Sequence, residues 1–463
     1  GFLYLILTYL KKNFSEKTPI SDKLILATNG YYMKKFIIIL WFFSLPSFVH
    51  AKTLIEVIQH TLATNPDVLV TLNNRHAADQ QLKQVQAGYW PVIELTGGYG
   101  RETSDNTTTR LNNGEDLTLT RQEIGLSLSQ LLFDGFFTKH ELARQHSLIN
   151  SIAHKVEEAF ENIAFLTSEV YLEILRRQKL VELSKDNVVI HQKSLERIRI
   201  LVEGGVGRQA DIQQSKSRLA LAKSSLVNAQ GNLRNAEINY RRVIGELPTA
   251  LTIPSRAPLD IALPDNTKAA LDIALYNHPT LQVVQADLEA ARSAHQQSNA
   301  YFMPRLSFEV GMTDNKNLEG VEGENDDFTA MLRMQYNLFR GGADKARRQE
   351  TAARISAAQE TIRSTQRIIE EDVLLSWNSL NTIRARLNYI KAHLESTEAV
   401  LKSYKEQFKL GQRSLLDVLD SENELFNARA SLVTAEYGEI LSMFKVLESM
   451  GILLDTLGIK RPQ

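Results

Sequence analysis

The sequence predicts an α+β membrane protein built as a tandem repeat, each half carrying two membrane-length strands and two long helices. Three observations carry this reading. Landmarks recur at fixed offsets, each half holds two stretches of period-two alternation, and tracts of up to about 67 residues contain neither proline nor glycine.

The chain is an internal repeat of two similar halves. Asn65-Pro66 returns as His278-Pro279 and Trp90-Pro91 as Met303-Pro304, both 213 positions later. Leu132-Phe133-Asp134-Gly135 returns as Leu338-Phe339-Arg340-Gly341, and Gly205 with Asp211 as Gly411 with Asp417, both 206 later. The seven-residue difference falls between the Pro and Phe landmarks, so one loop is shorter in the second copy.

At the N-terminus, Met33-Lys34-Lys35 precedes the apolar run Phe36–Leu45, and Val49-His50-Ala51 offers small residues around a cleavage point. This predicts a secretory signal peptide over 33–51, too short in its apolar part for a spanning helix. Residues 1–32 are expected to be an upstream extension. The mature chain would begin at Lys52, with 47 basic against 52 acidic side chains, a balance of −5.

Repeat 1 is expected over 52–246. A short helix, 53–63, breaks at Asn65-Pro66, where Asn suits an N-cap and Pro the first helical turn. A second helix runs to Tyr89, before Pro91. Strands 92–101 and 118–133 follow around a polar loop at Glu102–Asp116. Ile93, Leu95 and Tyr99 alternate with Glu94, Thr96 and Gly98, and Ile124, Leu126 and Leu128 with Gly125, Ser127 and Ser129. A long helix, 136–202, turns at Gly204–Gly207 and returns as 208–246. Its apolar residues step by three and four, and its length of roughly 100 Å implies packing against similar helices. Helices 67–89 and 208–246 together match that length, so they can stack end to end alongside it.

A linker, 247–267, contains four prolines. Repeat 2 spans 268–455, with helices over 268–302, strands 305–313 and 328–339, and long helices 343–410 and 414–449; 456–463 is a tail. Here Leu306, Phe308, Val310 and Met312 alternate with Ser307, Glu309 and Gly311, and Phe328 to Leu338 alternate likewise after the polar loop Asp314–Asp327. A soluble sandwich also alternates. However, the polar faces carry Glu, Arg, Gln and Asn, and the apolar faces run about ten residues, the length of a transmembrane strand. Four strands cannot enclose a wet lumen, and an open edge cannot sit in lipid, so the chain is expected to oligomerise.

Composition narrows the function classes. The formal net charge is −1, with no basic surplus for nucleic acid. The 463 residues include no cysteine, which excludes disulfides, thiolate metal sites, thiol nucleophiles and a lipid-bearing cysteine. Ten histidines form no HExxH, and no Walker loop or GxSxG occurs, so neither enzyme, metal nor cofactor is expected.

These features resemble the TolC family of outer-membrane channels over essentially all of 52–455. The carrying residues are the duplicated hairpin-plus-helices plan, the Leu-Phe-x-Gly landmarks and the segment Gly411-Gln412-Arg413-Ser414-Leu415-Leu416-Asp417-Val418-Leu419-Asp420. Gly88-Tyr89-Trp90-Pro91 and Gly98-Tyr99-Gly100-Arg101-Glu102 look most like the branch serving type I secretion of adhesins.

The resemblance implies a homotrimer with a twelve-stranded barrel in outer-membrane lipid and a long periplasmic helical barrel. Its partners would be a periplasmic adaptor and an inner-membrane ABC-type transporter, and its cargo an exported protein. A drug or metal efflux pump with small-molecule cargo is the rival, and a periplasmic coiled-coil adaptor or scaffold the remote one. Asp417 and Asp420, three apart on one helical face, match the acidic ring of the periplasmic aperture. Arg413 and Asp211 match a latch between neighbouring helices. Phe408 stands where the family's best-studied member has a tyrosine, so one latch hydrogen bond would be missing. Gly205, Gly207 and Gly411 would lie at the helical tips, where an adaptor makes contact.

Overall fold

The structure is a computed structural model that describes residues 52–248, 251 and 263–460. The expected signal peptide, most of the linker and the last residues of the tail lie outside the described residues. The elements are α1 (Leu54–Thr64), α2 (Pro66–Ala87), β1 (Val92–Ser104), α3 (Thr107–Asn113), β2 (Leu117–Phe133), α4 (Phe137–Glu203) and α5 (Gln209–Ile244). The second half holds α6 (Thr267–Asn277), α7 (Pro279–Ser298), β3 (Arg305–Lys316), β4 (Glu324–Gln335), α8 (Ala343–Lys409), α9 (Leu415–Ser449) and the short α10 (Leu453–Thr456).

Local chemistry fixes the helix starts. Thr53 and Glu56 form a reciprocal capping box at α1. Asn65 Oδ1 accepts from the Asp67 N–H at 2.9 Å at the head of α2, while its amide donates to the Val243 carbonyl at 2.9 Å. His278 takes the same place before Pro279, its Nδ1 accepting from the Thr280 N–H at 3.3 Å. The Asp134 carboxylate accepts from the Thr138 N–H at 2.8 Å, placing negative charge at the N-terminus of α4.

The four strands form one antiparallel sheet in the order β1-β2-β3-β4, so the join between the repeats is the β2–β3 ladder. The register stacks like with like. Leu95, Leu126, Met312 and Phe328 make one cross-strand row, and Ile93, Leu128, Val310 and Ala330 the next. Between them lies the row Glu94, Ser127, Gly311 and Thr329. One face is therefore apolar across all four strands. The other carries Arg333 bound to Glu309 at 2.7 Å and Arg121 bound to Glu102 at 2.9 Å. That is the two-faced character of a lipid-facing barrel wall with a polar lumen.

The ladders run further than the alternation does. β3 reaches Lys316 and β4 begins at Glu324, so the connecting loop is 317–323, not Asp314–Asp327. Asn317 closes it, its Oδ1 accepting from the Gly323 N–H at 3.0 Å. β4 also ends at Gln335, leaving Tyr336 to Phe339 outside the strand. Hydrophobic alternation marks where a strand meets lipid, whereas backbone pairing ends where a turn ends it. The polar loop of repeat 1 likewise holds a helix, α3, capped by Asn106.

In the helical part, α4 packs against α2 and α5, and also against α7 and α9, which in turn pack against α8. The lateral order is therefore α2/α5, α4, α7/α9, α8. Both long helices have 67 residues, yet α4 buries 21 and α8 only seven. That asymmetry makes α4 an interior helix and α8 a flank. The main core forms where α1, α6 and α10 meet the long helices, around Tyr171, Tyr240, Phe444, Leu447 and Met450. Buried Glu161 on α4 ties the C-terminal segment in by accepting from the Leu453 and Leu454 N–H groups at 2.9 and 3.3 Å.

The repeat offers an internal control on the strand-to-helix joint. Gly135 and Gly341 are equivalent, with φ of +68° and +61°. A Cβ on Gly135 would sit 2.8 Å from Met303 Cβ and 3.0 Å from the Ala300 backbone, whereas one on Gly341 meets nothing within 4 Å. Both alanine substitutions should cost about 1–2 kcal/mol for the left-handed backbone. Gly135→Ala should cost about 1–3 kcal/mol more for overpacking. Thermal unfolding in detergent, followed by circular dichroism, should therefore show Gly135→Ala as clearly the less stable of the two.

Candidate functional site

The candidate site is the pair of helical turns farthest from the sheet. Between α4 and α5 the chain reverses through Gly204–Arg208, with the Val206 and Gly207 N–H groups donating to the Leu201 carbonyl at 2.9 and 3.1 Å. Gly205 has φ +79°, and a Cβ on Gly207 would strike Val202 at 2.7 Å. Between α8 and α9, Gly411 at φ +73° makes the matching reversal. The apolar side chains at these tips, Val206 at 82% and Leu410 at 73% exposure, are left open.

Each helix that leaves a turn carries an aspartate in its first turn. Ser414 Oγ accepts from the Asp417 N–H at 3.2 Å and donates to Asp417 Oδ2 at 2.8 Å. In repeat 1 the Arg208 N–H donates to Asp211 Oδ2 at 3.2 Å. Asp211 and Asp417 are thus equivalent first-turn carboxylates, placed where a helix N-terminus favours negative charge.

The remaining expected residues are distributed as follows. The Arg413 guanidinium lies over the Tyr404 ring at 4.0 Å, donates to Gln407 Oε1 at 3.1 Å and sits 3.7 Å from Asp417. It is not paired with Asp211. Within one chain α5 meets α9 through Arg218 and Asp420, while Arg413 is taken up by Tyr404, Gln407 and Asp417. Phe408 packs with Leu401, Val418 and Leu425 in a small apolar cluster near the tip. Asp420, half exposed, forms an ion pair with Arg218 on α5.

A few residues above the tip lies a buried polar group that the sequence reading missed. Glu422 on α9, almost fully buried, sits 3.1 Å from Lys405 on α8 and 4.0 Å from His191 Nδ1 on α4. Ser194 Oγ lies at 3.5 Å. With Arg218 from α5, all four long helices contribute a charged or titratable side chain at this level. Repeat equivalence carried a partial signal: Arg218 and Asp420 stand seven and three residues beyond the equivalent Asp211 and Asp417. Among the described residues no cluster could hold a metal ion.

His191 gives this level a pH dependence. Burial is the larger influence and holds its pKa below the ordinary 6.5; Glu422 opposes that shift and Arg218 reinforces it. The packed tip therefore holds neutral imidazole. Its stability is complete above pH ~6.5 and declines as pH falls through that value toward the depressed one, because the unpacked state takes up the proton first. Hydrogen-exchange protection of 188–195 and 418–425 should fall between about pH 7 and 5. His191→Gln should flatten that dependence.

The family model described as outer membrane efflux protein matches residues 57–246 and 270–439. The chain is 22% identical over 427 residues to the outer membrane protein TolC of Vibrio cholerae, covering 89% of this chain and 93% of that protein. It is 22% identical to the outer membrane efflux protein BepC of Brucella suis, over 83% of this chain and 82% of that one. The same identity relates it to the alkaline protease secretion protein AprF of Pseudomonas aeruginosa, over 85% and 83%. Among solved structures, CusC superposes with a TM-score of 0.74 at 16% identity, covering 94% of this chain and 98% of that one. VceC from Vibrio cholerae gives 0.72 at 16% identity, over 86% and 96%. With a family match across both repeats and the fold shared over nearly the whole chain, this protein belongs to the outer membrane efflux protein family, transport channels of the outer membrane with periplasmic helices and no enzymatic role.

Proposed function

We propose that three copies close into one duct, a twelve-stranded barrel in the outer membrane continued by a periplasmic helical barrel. The observation that carries this is the coincidence of open edges. β1 and β4 end the sheet, and α2/α5 and α8 end the helical layer in the same order. Exposed Leu221, Val227 and Ile238 on α5 and Ile368, Leu375 and Tyr389 on α8 mark the two flanks as unfinished. A head-to-tail ring covers both flanks and both strand edges with a single rotation.

Closure also gives Arg413 and Asp211 their roles. Ring formation sets the α8–α9 turn of one copy beside the α5 tip of the next, so the latch is a contact between copies. Asp417 and Asp420 line the aperture as an acidic ring. Arg218 neutralises part of it through Asp420, and the latch draws Arg413 from Asp417 to Asp211 of the next copy, which leaves Asp417 as the principal cation-attracting group. Phe408 contributes packing in place of a hydrogen bond, and Gly205, Gly207 and Gly411 form the turns presented to an adaptor.

The duct serves as the exit of a tripartite system with a periplasmic adaptor and an inner-membrane ABC-type transporter, secreting an adhesin-like protein by the type I route. The likeness to AprF, named for alkaline protease secretion, and the Gly88-Tyr89-Trp90-Pro91 segment support this choice. The rival is a drug or metal efflux pump, which the likeness to BepC favours. Deleting the gene should remove a large protein from the culture medium and leave drug resistance intact; lost resistance with an unchanged secretome establishes the rival.

At the aperture, Asp417→Ala should sharply weaken block by multivalent cations in planar bilayers. Asp420→Ala alone should do little, because its charge is already paired. Arg218→Gln should strengthen block. Equal effects of the two aspartate substitutions would contradict the assignment of the ring to Asp417.

A further inference from the structure

The joint between sheet and helices carries an excess of positive charge with no protein counter-charge. Lys139 lies in the first turn of α4, Arg305 begins β3, and Arg340, Lys345, Arg347 and Arg348 follow β4 into the first turns of α8. All six are exposed. Arg340 pairs with Asp344 at 3.1 Å; among the described residues the other five have no ion pair. Nearby Glu141 and Glu350 are held by Arg144 and Arg354, and Asp134 caps α4.

The cations are set against rings. Arg347 stands 4.7 Å and Arg340 5.9 Å from the centroid of Tyr301, and Lys139 stands 5.7 Å from that of Phe136. Phe137 meets Tyr301 edge-on at 6.0 Å, and Phe133 meets Phe136 at 5.4 Å. Just beyond, Trp90 at 72% and Phe339 at 85% exposure edge the apolar face of the sheet. Aromatic side chains with cations at the rim of an apolar band are the chemistry of a membrane interface.

The neighbouring copy does not supply the missing negative charge. In the ring proposed above, which this inference assumes, the β4–α8 joint abuts the α2–β1 joint. Residues 80–93 there include Lys83 and no carboxylate; flanking Asp79 is held by Arg75, and Glu94 lies on the polar face of β1, turned from the lipid side. We propose that the collar binds anionic phospholipid headgroups of the leaflet facing the periplasm. The phosphodiester would sit between the guanidinium and ammonium groups and the acyl chains along the apolar face.

The test uses the full-length protein reconstituted in bilayers of phosphatidylcholine with an equal share of phosphatidylglycerol, then extracted gently for counting of retained lipids by native mass spectrometry. The wild-type protein should retain phosphatidylglycerol over phosphatidylcholine by at least about five-fold, the factor one interfacial cation contributes. Arg340→Gln, Lys345→Gln, Arg347→Gln and Arg348→Gln combined should abolish the preference. A charge-preserving variant, Arg340→Lys with Arg347→Lys and Arg348→Lys, should keep it, and so separates loss of charge from loss of fold. Equal retention of both lipids by the wild type overturns the proposal. So does an unchanged preference in the glutamine variant, or altered ion selectivity alone, which would place the charges in the lumen. Entry into bilayers without preference counts against the collar only; failure to enter bilayers at all counts against the duct.

Discussion

The unpaired backbone edges of β1 and β4 govern the rest of this protein. In hydrocarbon an unpartnered N–H or C=O costs several kcal/mol, so a four-stranded sheet with an apolar outer face is not a finished object. Adding strands from identical chains satisfies every edge without a new sequence. The tandem repeat performs the same operation within one chain, since β2 pairs with β3 across the repeat boundary as antiparallel hairpins require. The proposed ring closure would extend that operation from repeats to copies.

The helical layer inherits the constraint. Each strand pair leads directly into a 67-residue helix through a short joint, so lateral order in the sheet becomes lateral order in the helices. α4, entered from an interior strand, is buried along one side by repeat 1 and along the other by repeat 2. α8, entered from edge strand β4, keeps an open face. In the proposed ring, the tip would be a place where contacts within a copy and between copies compete. Arg218–Asp420 and Lys405–Glu422 bind helices of one chain, while Arg413 rests on Tyr404 and Gln407 and Asp211 caps the start of α5. In the proposed latch, opening would loosen the contacts between copies and keep those within one.

The fold class was legible in the sequence because its signals are periodic and duplicated. Leu306 to Met312 and Phe328 to Met334 alternate because one face meets lipid, and the 206-residue offset repeats because the long helices do. The ends of the ladders were less legible. Above the lipid both faces are polar, and nothing in Asp314–Lys316 or Glu324–Asp327 distinguishes a paired backbone from a loop. The tip was legible only where the repeat pointed to it. Asp211, Asp417 and the turn glycines stood out through equivalence and resemblance. The Glu422 group did not, because His191, Lys405 and Glu422 lie on three helices and acquire meaning only when those helices pack. The same holds for the basic collar, whose members are scattered from Lys139 to Arg348 and meet only at the joint.

Because the chain contains no cysteine, edge-to-edge closure can be read without background. Thr96→Cys in β1 would be combined with a single cysteine stepped through 325–333 of β4, and the protein oxidised in outer membranes. Within one chain the two strands are separated by roughly 14 Å, three ladder spacings, too far for a disulfide. At one register the product should be a covalently closed ring of three chains that resists denaturant. Monomers at every register, or a ladder of multimers that passes beyond three, would contradict a closed trimeric barrel.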